Sequence, residues 1–161
     1  MKVRNGIRRS LPQMIPSHAR AHRFAVIADE RVAALYGEEL VEGLLKQGRE
    51  ALLLSFPPGE ASKTRERWAE LTDAMIRAGF GRDSAVVALG GGVTGDLAGF
   101  VAATFMRGLP LVQVPTSLVA MIDSSIGGKV AVDVPEGKNL VGAFHSPRLV
   151  AVDPEVAVTL P

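Results

Sequence analysis

The sequence predicts an α/β fold, a mostly parallel β-sheet with helices flanking it, and three observations carry that prediction. Short runs of Val, Ile, Leu and Ala alternate with longer segments of helical period, the pattern left by strands joined through crossover helices. Residues 85–89 are an unbroken apolar run, as a central parallel strand needs when both its faces are covered. Twelve of the 17 glycines lie between Gly79 and Gly142, so the first half builds scaffold while the second favours close backbone approach. A length of 161 residues with 47% hydrophobic content supports one core, so a single domain over residues 1–161 is expected.

Residues 1–31 carry seven basic groups, Lys2, Arg4, Arg8, Arg9, Arg20, Arg23 and Arg31, scattered among Pro and Ser, and read as a solvated face. Residues 24–28 are the first strand. Asp29 is suited to cap the following helix, whose stripe is Val32, Leu35, Leu40, Leu44 and Leu45 until Gly48 ends it. Residues 51–56 form the second strand. After the turn Pro57-Pro58-Gly59, a helix is predicted over residues 62–79, with Trp68, Leu71, Met75 and Ile76 on one side and Trp68 in the core. Residues 85–89 and 111–114 are the third and fourth strands, residues 129–134 one arm of a hairpin, and residues 148–153 a further strand.

Composition excludes several classes. With 18 Lys plus Arg against 17 Asp plus Glu, the net charge of +1 exerts no general pull on nucleic acid or an anionic membrane. The absence of cysteine removes disulfides and thiolate metal sites. The longest uncharged run, residues 108–122, contains Pro110 and Pro115 and is too short to span a bilayer. No apolar signal core follows Met1. A cytoplasmic setting is expected.

The strongest local signal is Gly90-Gly91-Gly92-Val93-Thr94-Gly95-Asp96, placed after a buried strand and before a helical stretch predicted over residues 97–106. Glycines there free backbone N–H groups, and a helix start adds partial positive charge, so a phosphate-bearing ligand is the natural occupant. The alternative is a purely structural turn. The spacing is neither G-x-G-x-x-G nor a Walker loop. Asp96 beside a pyrophosphate suits a ribose or carboxamide better than phosphate. Downstream stand Thr116 and Ser117, then Asp123-Ser124-Ser125, Gly127-Gly128-Lys129 and Gly137-Lys138-Asn139. These polar groups suit a phosphorylated polyol, with Lys129 and Lys138 as charges for its phosphate. Solvated lysines in a glycine-rich loop are the competing explanation.

Gly-Gly-Gly-Val-x-Gly-Asp-x-x-Gly-Phe-x-Ala-x-x-x-x-Arg-Gly, followed in order by Val114-Pro115-Thr116-Ser117-Leu118, the Asp123 to Lys129 block, the Gly137 to Phe144 block and Thr159-Leu160-Pro161, resembles the signature of 3-dehydroquinate synthases. The resemblance runs from Phe24 onward. It implies a Rossmann-like sheet and an enzyme that turns 3-deoxy-D-arabino-heptulosonate 7-phosphate into 3-dehydroquinate and phosphate, NAD being reduced and reoxidised within one cycle. By the family pattern, Gly91, Gly92, Val93, Thr94, Gly95 and Asp96 cradle NAD, and Gly59, Glu60 and Lys63 grip its adenosine side. Asp29 matches a ribose-binding acid. Thr116, Ser117, Lys138 and Thr159 match further cofactor contacts, although Ser117 replaces a more common Thr and Val156 a common aromatic.

The same resemblance sets Asp123 between substrate and nicotinamide, and Lys129 and Asn139 near the substrate phosphate. It makes Arg107 an arginine that reaches a neighbouring subunit's site, which implies a homodimer; a helix C-terminal cation is the plainer alternative for Arg107. The family's divalent ion, zinc or cobalt, is held by a glutamate and two histidines of a helical second domain, which is expected to be missing from a chain of this length. His18 and His22 read as a solvated pair, and His145 matches no ligand. At the start, residues 3–6 read as a frayed remnant of the family's opening strand. Two other functions stay open: a related cyclase of the 2-deoxy-scyllo-inosose synthase type, against which the Asp123 to Asn139 block argues, and a non-catalytic nucleotide-binding module.

Overall fold

A computed structural model describes residues 1–160. The elements run β1 (Lys2–Val3), α1 (Leu11–His18), β2 (Arg23–Asp29), α2 (Glu30–Val32), α3 (Glu38–Lys46), β3 (Glu50–Phe56), α4 (Arg65–Arg77), β4 (Ser84–Gly90), α5 (Gly92–Thr104), β5 (Leu111–Pro115), β6 (Lys129–Val134), β7 (Gly137–Phe144) and β8 (Leu149–Val152). Six strands form one sheet in the order β1-β8-β5-β4-β2-β3, with every pairing parallel. β6 and β7 form a separate antiparallel hairpin.

Strand alternation sends side chains to two cores. Phe24, Val26, Val87, Leu89, Val112 and Val114 meet Leu11 and Ile15 of α1 and Leu40 and Leu44 of α3 on one face. Ala25, Ile27, Val86, Ala88 and Leu111 meet Leu71 and Met75 of α4 and Leu97 and Val101 of α5 on the other. All seven residues of β4 are buried, which accounts for its unbroken apolar run. The hairpin docks on the second face through Val130 and Val132, and a Cβ on Gly99 of α5 would collide with the Val130 side chain.

Several expectations are corrected. The amino-terminal lead is structured: Ile7, Leu11 and Ile15 enter the core, while five of its seven basic groups, Lys2, Arg4, Arg9, Arg20 and Arg31, are exposed as a solvated face requires, and Arg8 pairs with Glu39 at 2.9 Å and Arg9 with Glu155 at 3.4 Å. The frayed remnant is β1, paired with β8 through Lys2 opposite Ala151 and Val3 opposite Val152. Between α2 and α3 the chain makes a wide π turn at Ala33–Gly37, which advances the helical phase. Ala33 and Gly37 therefore face the core, while Leu35 and Leu45, assigned to the stripe, are exposed. The helix at residues 62–79 begins later, where Thr64 caps α4 by accepting from the Arg67 amide at 3.2 Å, and Ile76 of that helix is exposed. Trp68 packs against the second core and donates its indole N–H to Thr104 at 2.9 Å.

Candidate functional site

The carboxyl ends of the parallel strands make one rim: Asp29 ends β2, Gly90 ends β4 and Pro115 ends β5. Ligands of open parallel sheets settle outside such a rim. Asp29, Gly91, Thr116, Ser117 and Thr159, five of the proposed cofactor contacts, line one groove there, of about 210 Å³, with Pro58, Tyr36 and Leu160 beside them. Asp29 also caps α2, its Oδ1 accepting from the amides of Arg31 and Val32 at 3.0 Å.

The glycine motif is itself the first turn of α5. The helix starts at Gly92, five residues earlier than the predicted 97, because glycines here serve as helix N-terminus and not as a loop ahead of it. Its N-cap is Gly91, and no side chain caps it, so the first amides are left for another partner. A Cβ on Gly91 would stand 3.3 Å from Ser117 Oγ, and one on Gly92 3.2 Å from Ser124 Oγ. The Ser124 hydroxyl is buried without a hydrogen-bond partner. Behind the turn, buried Gln113 donates to the Gly95 carbonyl at 3.1 Å and ties β5 to the helix start.

On the other side of α5 opens a cleft of about 500 Å³ between its first turns and the hairpin. Asp96, Asp123, Ser124, Lys129 and Asn139 line it together with Leu140 and Phe144. Lys129 and Asp123 are exposed there. Thus Asp96, Asp123, Lys129 and Asn139, far apart in sequence, line one cleft, and Gly91 and Asp96 present the same helix start to groove and cleft.

Lys63 links these parts. Its side chain is 5% exposed, and Nζ lies 3.1 Å from Asp96, 2.6 Å from Asn139 Oδ1, and 3.6 Å from both Glu60 and Asp133. Burial pulls the Lys63 ammonium down, but Asp96, Glu60 and Asp133 outweigh it, so its pKa is raised above 10.5. Asp96 is raised above 3.8, chiefly by desolvation and further by Glu60 and Asp133, against the pull of Lys63. Lys138, exposed, pairs with Glu60 at 3.2 Å. Gly59, with φ +109, turns the chain into the Glu60–Ser62 segment.

Arg107 is not brought to this cleft. α5 stops at Thr104 and a short 3-10 turn, Phe105–Arg107, follows it, with Met106 and Arg107 in left-handed backbone conformations, φ 52 and 70; Arg107 is the basic residue of that last turn before Gly108, the plainer of its two alternatives, and not a residue of α5 itself. It is exposed beyond the far end of a 13-residue helix, roughly 20 Å from the turn that opens the site. His18 and His22 are not a pair: His18 bonds the Met14 carbonyl at 2.8 Å and His22 reaches Glu50 at 3.2 Å. His145 bonds the Leu109 carbonyl at 2.8 Å. Among the described residues no group of three or more His, Asp or Glu is placed to hold a metal ion, and no helix is long and apolar enough to cross a membrane. Pro161 of the last family block lies outside the described residues.

Three residues of the site were missing from the sequence reading. Asp133 accepts from the Asn139 amide at 2.8 Å. Gln113 sits in a strand whose apolar neighbours drew the attention. The third, Tyr36, shares a hydrogen bond of 2.8 Å with Thr159 across the groove. A lone polar residue inside an apolar strand, as Gln113 is, was the available signal.

The family model for the 3-dehydroquinate synthase N-terminal region matches residues 53–161. A 3-dehydroquinate synthase of Latilactobacillus sakei subsp. sakei is 45% identical over 161 residues, all of this chain and 45% of that protein. A 2-deoxy-scyllo-inosose synthase solved with carbaglucose-6-phosphate, NAD+ and Co2+ superposes with a TM-score of 0.87 at 33% identity, over 96% of this chain and 42% of that one. A 2-epi-5-epi-valiolone synthase from Streptomyces hygroscopicus subsp. jinggangensis, solved with NAD+ and Zn2+, gives 0.86 at 34%, over 99% and 44%. The chain thus spans less than half the length of each of these proteins.

Proposed function

The chain belongs to the 3-dehydroquinate synthase family, and from that premise we propose that it supplies the NAD-binding part of an enzyme converting 3-deoxy-D-arabino-heptulosonate 7-phosphate into 3-dehydroquinate and phosphate. The observation that carries this reading is the uncapped start of α5, where bare Gly91 and Gly92 and the unpartnered Ser124 hydroxyl leave a cradle for an anionic group. Related cyclases solved with NAD+ share the fold.

When bound, NAD supplies the hydride acceptor that oxidises a substrate hydroxyl and later returns the hydride. The chain's own residues bind and orient. Gly91, Gly92, Val93 and Thr94 offer backbone amides to the pyrophosphate, Gly95, whose own amide bonds the Gly91 carbonyl at 2.9 Å, leaves room for Gln113 behind the turn, Asp29 takes a ribose hydroxyl, and Thr116, Ser117 and Thr159 close the groove. Gly59, Glu60, Lys63 and Lys138 hold the adenosine side. Asp96 and Asp123 stand at the passage from cofactor groove to cleft, where a carboxylate orients nicotinamide and substrate. Lys129 and Asn139 receive the phosphate of a phosphorylated keto-sugar acid, an arrangement in which a charged donor and an amide share one anion. Arg107 serves the site of a second subunit in a homodimer. The family's zinc or cobalt finds no ligand cluster among the described residues.

Isothermal titration of the chain with NAD tests the cofactor reading; affinity absent at millimolar NAD sinks it. Titration with the heptulosonate phosphate after NAD separates this reading from a nucleotide-binding module, which takes up the first ligand alone. The name of the relative 45% identical to this chain favours the dehydroquinate reaction over that of the cyclase 33% identical to it; carbaglucose-6-phosphate, the ligand of that cyclase, in parallel titrations checks that preference.

A further inference from the structure

We propose that Asp133, to which no ligand contact is assigned above, is the positioning residue that fixes Lys63 and Asn139 at the mouth of the cleft. The inference rests on the reading that those two residues face ligand.

The geometry is a closed triangle. Asn139 has φ 59, a left-handed conformation that L-residues other than Gly adopt at a cost. Its amide donates to Asp133 Oδ1 at 2.8 Å, at the exposed edge of the hairpin. Its side-chain Oδ1 accepts from Lys63 Nζ at 2.6 Å. Asp133 in turn donates its own amide to the Lys63 carbonyl at 2.7 Å. The hairpin register shifts between Val132 and Val134. That irregularity releases the Asp133 amide from cross-strand pairing and lets it bridge to the chain at Lys63 and Thr64. One residue therefore anchors the backbone of Lys63 and the backbone of Asn139, whose side chains touch each other.

Asp133 works here as an acceptor more than as a charge. Its carboxylate is 3.6 Å from the Lys63 ammonium, whereas Asp96 at 3.1 Å and Asn139 at 2.6 Å are nearer. An asparagine keeps an Oδ1 for the Asn139 amide; an alanine does not.

The test compares Asp133→Ala and Asp133→Asn in the whole 161-residue chain. NAD affinity is read by calorimetry and amide hydrogen exchange at Asn139 by NMR. Asp133→Ala is expected to speed exchange at Asn139 and weaken NAD, each by about tenfold, the effect of one lost hydrogen bond to a carboxylate. Asp133→Asn is expected to keep both within about threefold of the parent, since the acceptor remains. An Asp133→Ala chain with unchanged exchange and affinity overturns the proposal, and so does an Asp133→Asn chain as impaired as Asp133→Ala. If Asp133→Ala does not fold, Asp133→Asn decides by itself: retention of both readouts supports the acceptor role and their loss ends it. Failure of the parent to bind NAD removes the cofactor reading, while exchange at Asn139 still judges the triangle.

Discussion

Lys63 Nζ stands 3.1 Å from Asp96 Oδ2, joining the turn ahead of α4 to the second turn of α5, and Lys63 is almost wholly buried. Removing one partner of such a pair strands the other away from water. Lys63→Met is therefore expected to destabilise the chain by about 3 kcal/mol, whereas Lys63→Met combined with Asp96→Leu recovers most of that loss. Urea unfolding of the single and double variants checks it; equal midpoints for Lys63→Met and the parent would refute it.

The pair also sets a pH dependence. The Lys63 pKa is raised in the folded chain, so the folded state holds that proton more tightly than the unfolded one. Its contribution is full below the ordinary value of 10.5 and is lost as pH rises through the folded value. The stability gap between the parent and Lys63→Met should therefore narrow above that pH. Asp96 acts in the same direction at much lower pH: its raised pKa means that ionisation costs the folded state stability as pH climbs just above 3.8. An NMR titration of the Asp96 carboxyl is expected to inflect above 3.8, and an inflection below it contradicts the desolvation argument.

Gly92→Val places side-chain carbons at the open start of α5, against Ser124 Oγ. NAD binding is expected to vanish while the fold persists, because the neighbour is a small side chain and not backbone. Calorimetry reads the first and circular dichroism the second; a variant that binds NAD like the parent excludes the helix start as the cradle.

Lys129, exposed on the cleft wall, suits a phosphate contact. In a protein extended to the relatives' length, Lys129→Ala should reduce kcat/KM for the heptulosonate phosphate by a factor worth about 1.5–3 kcal/mol, the range for a charged hydrogen bond. Unchanged kinetics would take Lys129 out of the site.

These 161 residues by themselves are expected to bind NAD without releasing phosphate from the substrate. Oxidising a substrate alcohol needs the sugar acid held in a reacting geometry and its hydroxyl polarised, and among the described residues no three His, Asp or Glu stand together to hold a metal ion for that task. A phosphate-release assay with added zinc or cobalt measures this, and turnover above background from the purified chain defeats the expectation.

What could be read from the chain follows a physical division. The run at residues 85–89 announces a strand because a central parallel strand buries both faces, and β4 does so. The glycine turn and the Thr116, Asp123 and Asn139 blocks were legible as local motifs, and the fold sets the first two at the strand rim and the others around the adjoining cleft. Leu35 and Leu45 were misassigned because a π turn shifts the helical phase by an amount that no periodicity records. Ile7, Leu11 and Ile15, four residues apart, held the signal that α1 enters the core, yet the arginines and prolines around them obscured it. Asp133 was invisible because its role arises from a register irregularity between two strands.

The hairpin of β6 and β7 belongs to no larger sheet, and the Lys63 cluster fastens it beside the cleft. Thermodynamic reciprocity then applies: whatever factor the seated hairpin adds to a ligand's affinity, the bound ligand must return as a preference for the seated hairpin. A ligand recruited by the cleft is thereby also a brace for the arm that recruits it.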